Sequence, residues 1–344
     1  MQVSELRHHE RATWDEYVYG AAGSTIYHLA GWKDVFEDTF GLQTHYLWAC
    51  ENGQVLGVLP LLEVKSKLSG HYFTSLPSAI CAEDGQAACT LALKAKELVR
   101  DSKANYLILR DSYHQWDLPG LVTQQPHCTL IADVTDDTDL MWQRLDRRVR
   151  QHTQKAIRAE LEVMIGPQYL EEVYPAYSEA MRDLGTPTLG IGFFRNLFRQ
   201  FPTSFTALMV RQHDKVLGGA FIAQFRDTLY NTWGGMLRDS FPLRSCHIWY
   251  WETLKYGHEN GYRQIDLGRS EWDSGTYSFK KHWLSEPRPL YHQCYLNRTC
   301  RSPHVGSTRA EDLGYRAFTQ LWIRLPLPMT ERVGPFLRAR MPFG

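Results

Sequence analysis

An ungapped internal repeat constrains this chain more than any other feature. Residues 31–57, GWKDVFEDTFGLQTHYLWACENGQVLG, are matched at an offset of 161 by residues 192–218, GFFRNLFRQFPTSFTALMVRQHDKVLG. Gly31 falls on Gly192, Trp32 on Phe193, Phe36 on Leu197 and Phe40 on Phe201, and Val55-Leu56-Gly57 falls on Val216-Leu217-Gly218. Trp32, Phe36 and Phe40 stand four apart and make one helical stripe. A short apolar strand follows (HYLWAC or FTALMV), then a polar turn (ENGQ or QHDK), then a second strand opening on VLG. That order predicts a helix followed by a β-hairpin. Each copy continues with a helix, about 86–102 and 245–259, and a strand, 106–110 and 262–267, in the same order but out of register. A duplicated unit of helix, hairpin, helix and strand predicts an α/β (α+β) fold of two tandem domains.

A length of 344 residues suits two cores rather than one. The predicted division is 1–140, 141–300, and a tail at 301–344. Lys+Arg and Asp+Glu are both 38, so no global charge advertises nucleic acid, and DNA is not an expected partner. Seven cysteines, odd in number and without a CxxC pair, fit neither a disulfide framework nor a zinc site. His8-His9-Glu10 is too isolated to hold a metal, and none is expected. The N-terminus is charged without an apolar core, and no apolar run nears the roughly 20 residues of a spanning helix. A cytoplasmic protein is expected, with contact at the inner face of the plasma membrane as a further option.

Local clusters carry the remaining information. Residues 144–158, RLDRRVRQHTQKAIR, hold six cations against one Asp and read as a helix bridging the domains. Such a run is either a solvated helix face or a phosphate contact, and Arg148 stands for the latter. After a polar linker at 301–312, Tyr315, Phe318, Leu321, Trp322 and Leu325 line one helical face, stopped by Pro326 and Pro328. This basic amphipathic end, 314–344, either docks on its own protein or lies on an anionic membrane. In 230–291 the strand at 264–267 ends in Gly268-Arg269-Ser270, followed by Gly275-Thr276-Tyr277-Ser278-Phe279-Lys280-Lys281-His282-Trp283. Cations, hydroxyls and aromatics at a strand end suit a phosphorylated or carboxylated ligand.

The run Asp266-Leu267-Gly268-Arg269-Ser270, then Gly275-Thr276, Phe279-Lys280, Trp283 and Leu290-Tyr291, resembles the FemAB family of aminoacyl and peptidyl transferases. Leu184-Gly185-Thr186-Pro187 and Phe193-Phe194 add to the resemblance, which covers about residues 20–295. It implies two acetyltransferase-like (GNAT-type) domains and transfer of an aminoacyl group from aminoacyl-tRNA to an amine of a phosphorylated envelope precursor. The LWIRLPLP segment resembles FemAB-like proteins that accompany exosortase (PEP-CTERM) and exopolysaccharide systems, a subgroup for which the tRNA donor is not implied. Three features depart from the pattern, the first being that the chain has no room for the long helical-hairpin arm that some members carry. Lys33 stands too early in its helix to match the family's phosphate-holding lysine, and the chain has no Arg/Gln-x-x-Gly-x-Gly/Ala loop for coenzyme A.

The expected chemistry is acyl transfer to an amine, with Lys280, at the family's Phe-Lys position, stabilising the oxyanion. Arg269 would fix a phosphate or carboxylate, with Ser270, Thr276, Phe279, Lys281, Trp233 and Arg148 as further ligand contacts. Trp233, Trp249, Trp251 and Trp272 read first as core or cleft wall. No cofactor is expected, since aminoacyl-tRNA or acyl-CoA would be a substrate. Two alternatives stand beside this reading: a non-catalytic relative that binds a glycan or partner, and an acyl-CoA-dependent N-acyltransferase.

Overall fold

The computed structural model describes residues 1–66, 70–297 and 313–339. Its strands are β1 (Gln2–Glu5), β2 (Gln43–Glu51), β3 (Gln54–Ser66), β4 (Gly70–Ser75), β5 (Cys81–Ala82), β6 (Tyr106–Ser112), β7 (Val122–Asp133), β8 (Leu161–Gly166), β9 (Phe205–Gln212), β10 (Lys215–Phe225), β11 (Thr228–Met236), β12 (Gln264–Glu271) and β13 (Ser285–Leu296). Its helices are α1 (Arg11–Gly20), α2 (Gly31–Phe40), α3 (Gly85–Asp101), α4 (Thr138–Arg144), α5 (Arg147–Arg158), α6 (Leu170–Asp183), α7 (Ile191–Gln200), α8 (Ser245–Glu259), α9 (Gly275–Lys280), α10 (Leu313–Trp322) and α11 (Leu327–Arg338).

The chain forms two compact units, and its expected mixed α/β architecture is present in each. The first unit holds residues 1–127 and the strand from Pro289 onward; the second holds Cys128–Arg288 with α10 and α11. This partition differs from a cut at residues 140 and 300. Residues 289–297 go with the first unit because β13 pairs antiparallel with β6, Gln293↔Leu109 through Leu296↔Tyr106. Helices α4 and α5 lie wholly in the second unit, so the basic run is no bridge. Val149, Thr153 and Ala156 bury one side of α5, Arg147, Arg148, Lys155 and Arg158 stand exposed, and Arg150 turns back to donate to Gln143 O and Leu145 O.

In the first unit the strand order is β1-β2-β3-β4-β6-β13. Leu47, Leu59, Leu61 and Phe73 pack against Ala88, Leu91 and Ala95 of α3. The second unit repeats this as β8-β9-β10-β11-β12, where Leu208, Ala220 and Leu229 pack against Ile248, Trp249 and Leu254 of α8. Its opposite face carries an aromatic layer in which Phe194 stacks on Phe221 at 4.1 Å.

The offset of 161 runs further than sequence matching indicates. It carries the start of β3 onto that of β10 (Gln54 and Lys215) and the end of β4 onto that of β11 (Ser75 and Met236). The repeated Val-Leu-Gly proves to be a β-bulge in both copies. Ladder pairs pass from Cys50↔Val55 to Ala49↔Gly57, and from Arg211↔Val216 to Val210↔Gly218, so Leu56 and Leu217 are the extra residues. The glycine behind each bulge is a close approach. A Cβ on Gly57 would sit 3.0 Å from Ala82 Cβ, and one on Gly218, at φ +148°, would sit 2.7 Å from Met236 Cα.

The tail helices dock on the second unit. Trp322 is buried, Phe318 stacks on it at 5.4 Å, and Gly185 and Gly190 are met by Thr319 and Pro335. Leu321, expected on the packed face, is 63% exposed. The linker at 301–312 and the Tyr315 side chain lie outside the described residues. Among those residues no helix is long and apolar enough to cross a membrane.

Candidate active site

In the second unit β11 and β12 run parallel but pair over only three residues, Thr228↔Gln264, Leu229↔Ile265 and Tyr230↔Asp266. Just past that point β11 is bulged against β10: Phe221 pairs with Trp233 and Ile222 with Asn231, which leaves Thr232 as the extra residue. Its hydroxyl donates to Phe221 O at 2.6 Å and pins the bulge. A bulge bends its strand and removes one residue from the ladder, so it sits naturally where two strands separate. Asp266 marks the branch. It accepts from the Thr129 hydroxyl, and its Oδ1 accepts the Gly268 N–H at 2.7 Å, fixing the turn at φ +83°.

Lys280 closes this branch from α9. Its ammonium is buried, 6% exposed, and donates to Gly268 O at 2.7 Å and Arg269 O at 3.1 Å. Burial pushes its pKa down to about 8, Asp266 and Cys128 pull the other way, and Arg269 adds to the lowering. Two of its three N–H bonds thus serve the β12 backbone, a role its motif position gives no hint of. Ser270 is also buried, and its hydroxyl finds no partner among the described residues. Arg269 is half-buried on the same strand.

Other predicted residues separate into wall and surface. Phe279 lies edge-on to His247 at 5.2 Å and to Tyr250 at 5.0 Å, so it packs α9 on α8. Trp233 belongs to the opposite layer, edge-on to Phe193 and Phe194 at 5.5 and 5.7 Å. Thr276 is exposed, and Lys281, also exposed, lies 5.9 Å over the Tyr277 ring. Arg148 is exposed on α5, away from the Gly268 turn in sequence but on the helix that packs beside α8.

Here lies a group that sequence reasoning missed. His152 of α5 and His247 of α8 meet with Nδ1 and Nε2 3.2 Å apart. Burial, then His152, Arg244 and Arg148, push His247 down to about 4. His152 is lowered by burial first, then by Arg244, Arg148 and Lys155. Both imidazoles are therefore neutral near pH 7, held so by burial first and then by the positive charge that α5 and the start of α8 gather around them. Arg244 precedes that helix with φ +65°. The helix dipole adds to the same positive end. The only sequence signal was the density of Arg in 144–158; nothing in spacing tied it to residues 244–247.

In the first unit the corresponding region differs. β4 and β6 again pair over three residues, Tyr72↔Tyr106 to Thr74↔Ile108. Beyond them the Ser75 hydroxyl accepts Arg110 N–H at 2.8 Å, and Ser78 N–H reaches Asp111 O at 3.1 Å, so the next loop fills the gap. Lys33 is engaged by Glu37 at 2.6 Å and Thr44 at 2.7 Å, in keeping with its early place in α2. Asp111 stands near His127 and His292 in this unit.

Comparison with known proteins places this geometry. The acetyltransferase (GNAT) domain family matches residues 143–281, the part of the chain that contains the parted strands. The crystal structure of FemX superposes with a TM-score of 0.65 at 15% identity, over 86% of this chain and 97% of that one. The C-terminal domain of a putative lysylphosphatidylglycerol synthetase from Agrobacterium fabrum gives 0.59 at 13% identity, over 83% and 91%. A tandem GNAT protein from the clavulanic acid biosynthesis pathway gives 0.55 at 12% identity, over 87% and 99%. No curated protein sequence matches. The chain therefore has a GNAT-type acyltransferase fold in tandem arrangement, consistent with a transferase.

Proposed function

We propose that the protein transfers an aminoacyl group from aminoacyl-tRNA to an amine of a phosphorylated envelope or glycan precursor. The observation that carries this reading is the parting of β11 and β12 beside the cationic start of α8. Arg148, Lys155 and Arg244 form a phosphate-attracting edge, and Phe279 against His247 connects that edge to the Lys280 turn. A nucleic-acid 3′ end laid along the edge would bring its ester carbonyl to the bulge at Thr232.

The acceptor amine attacks the acyl carbon and the carbonyl oxygen takes up negative charge. The ester C–O bond then breaks, and the leaving hydroxyl recovers the proton that nitrogen loses. Lys280 fixes the Gly268–Arg269 turn and places positive charge beside that oxygen, where a preorganised cation acts on the transition state. Arg269 would hold an acceptor phosphate or carboxylate.

The connection from β11 to α8 favours this donor over coenzyme A. It reads Leu237-Arg238-Asp239-Ser240-Phe241-Pro242-Leu243-Arg244. Pro242 offers no N–H, and Arg244 stands in a left-handed position where glycine would let a pyrophosphate approach the backbone. Lysylphosphatidylglycerol synthetase, a neighbour in fold, bears a name that couples an amino acid to a phospholipid. The exposed apolar stripe of α11 supports a membrane-side acceptor for this chain as well.

Fluorescence anisotropy with tRNA tests the donor. Arg148→Ala/Lys155→Ala/Arg244→Ala should weaken binding more than tenfold and flatten the log–log salt slope by about 2. Unchanged tRNA affinity in the triple variant, together with measurable coenzyme A binding, would transfer the assignment to an acyl thioester.

A further inference from the structure

The first unit holds a cluster that the proposed reaction does not use. Asp111 on β6, His127 on β7 and His292 on β13 each offer one ligand atom, and all three atoms lie within 4.8 Å of one another. His292 Nε2 is 3.0 Å from Asp111 Oδ1, and the His127 and His292 rings stand 5.5 Å apart. Asp111 and His292 are 7% and 6% exposed.

The backbone is shaped around this meeting. Between Tyr291↔Ser112 and Gln293↔Leu109 the ladder slips, so that Arg110 and Asp111 together oppose His292. Asp111 is the bulged residue, in the left-handed region at φ +49°. Its carbonyl is held by Ser78, itself at φ +74°. Left-handed non-glycine residues cost free energy and gather at functional sites, and bulges re-aim side chains there. Arg110 approaches the other carboxylate oxygen, Oδ2, at 3.8 Å, while Oδ1 is the oxygen that meets His292 Nε2.

From this geometry we infer that Asp111, His127 and His292 form a binding site for a divalent first-row transition metal, zinc foremost. Two imidazole nitrogens and one carboxylate oxygen are the donor set such ions select. Bonds of about 2.0–2.1 Å require ligand atoms roughly 3.3 Å apart, so the widest pair closes by about 1.5 Å through side-chain rotation. Three protein ligands leave one position for water or an anionic oxygen of a ligand. The site is thus of the open, ligand-binding kind rather than a closed structural one.

The test uses the full chain without a histidine tag, stripped with a chelator. Zn²⁺ is added and quantified after dialysis, and Co²⁺ serves as the spectroscopic probe through its visible d–d absorption. One metal per chain is expected. His127→Gln and His292→Gln should each lose at least tenfold in affinity, while His8→Gln/His9→Gln binds as the parent does. Metal held at well under one per chain, or affinity unchanged in both ligand variants, would overturn the site. Should either variant fold poorly, the unaltered protein decides alone: Zn²⁺ must raise its thermal midpoint above that in chelator, and no rise counts against the site.

Discussion

Burial sets the protonation state of individual residues, and His28 shows its thermodynamic side. The ring is fully buried, burial pushes its pKa down to about 4, and Nδ1 accepts the Thr25 N–H at 3.0 Å. Its folded pKa lies below the unfolded value, so the unfolded state binds more protons as pH falls. Stability is then fully present above about 6.5 and is lost toward pH 4, by up to about 3 kcal/mol. Urea unfolding between pH 7 and 4.5 should show that fall, and His28→Asn should flatten it. At Lys280 the carbonyls of Gly268 and Arg269 depend on the ammonium, so Lys280→Met is expected to cost about 1–3 kcal/mol, read from the denaturation midpoint. The motif located Lys280 but not its partners. Sequence spacing reports neighbours along a helix or strand, whereas the carbonyls at 268 and 269 become its partners only through the αL turn of Gly268. The same reason hides His152 with His247, and Asp111 with His127 and His292: each set converges from separate elements.

Elements follow the repeat closely. Helix, hairpin, helix and strand were legible because apolar residues recur with periods of 3.6 and 2, and those periods survive divergence. The bulges were not, although Val-Leu-Gly marks them twice, because an extra residue leaves composition unchanged. Gly218→Ala should therefore destabilise by about 2–4 kcal/mol, since a Cβ there meets backbone at a positive φ. Gly192→Ala, in α7 with open space around it, should instead stabilise by about 0.5–1 kcal/mol. Thermal midpoints of the two variants give the comparison. The tail divides its faces. Thr330 and Gly334 of α11 turn inward, while Met329, Val333 and Phe336 stand 50%, 36% and 58% exposed. If that stripe lies on lipid, anionic vesicles should sediment the parent chain, and Met329→Glu/Phe336→Glu should stay in the supernatant.

For the whole molecule, a net charge of zero conceals a positive edge at the start of α8. An anion bound there offsets the cations that help keep His152 and His247 neutral, so both pKa values rise and protons are taken up. Calorimetry of tRNA binding near pH 6, in buffers of different ionisation heat, should report that uptake, and His247→Phe should lessen it. The two copies have also divided their labour: one leaves its strands parted, and the other fills the gap and gathers two imidazoles and a carboxylate. The strand that completes the first unit's sheet, residues 289–297, follows every strand of the second unit's sheet in the chain. On a ribosome adding about 5–20 residues per second, β6 therefore waits roughly ten to thirty-five seconds with its edge bare. Translation imposes an order on maturation, in which the sheet begun first is closed last, and a stalled nascent chain of 288 residues should still present β6 to chaperones.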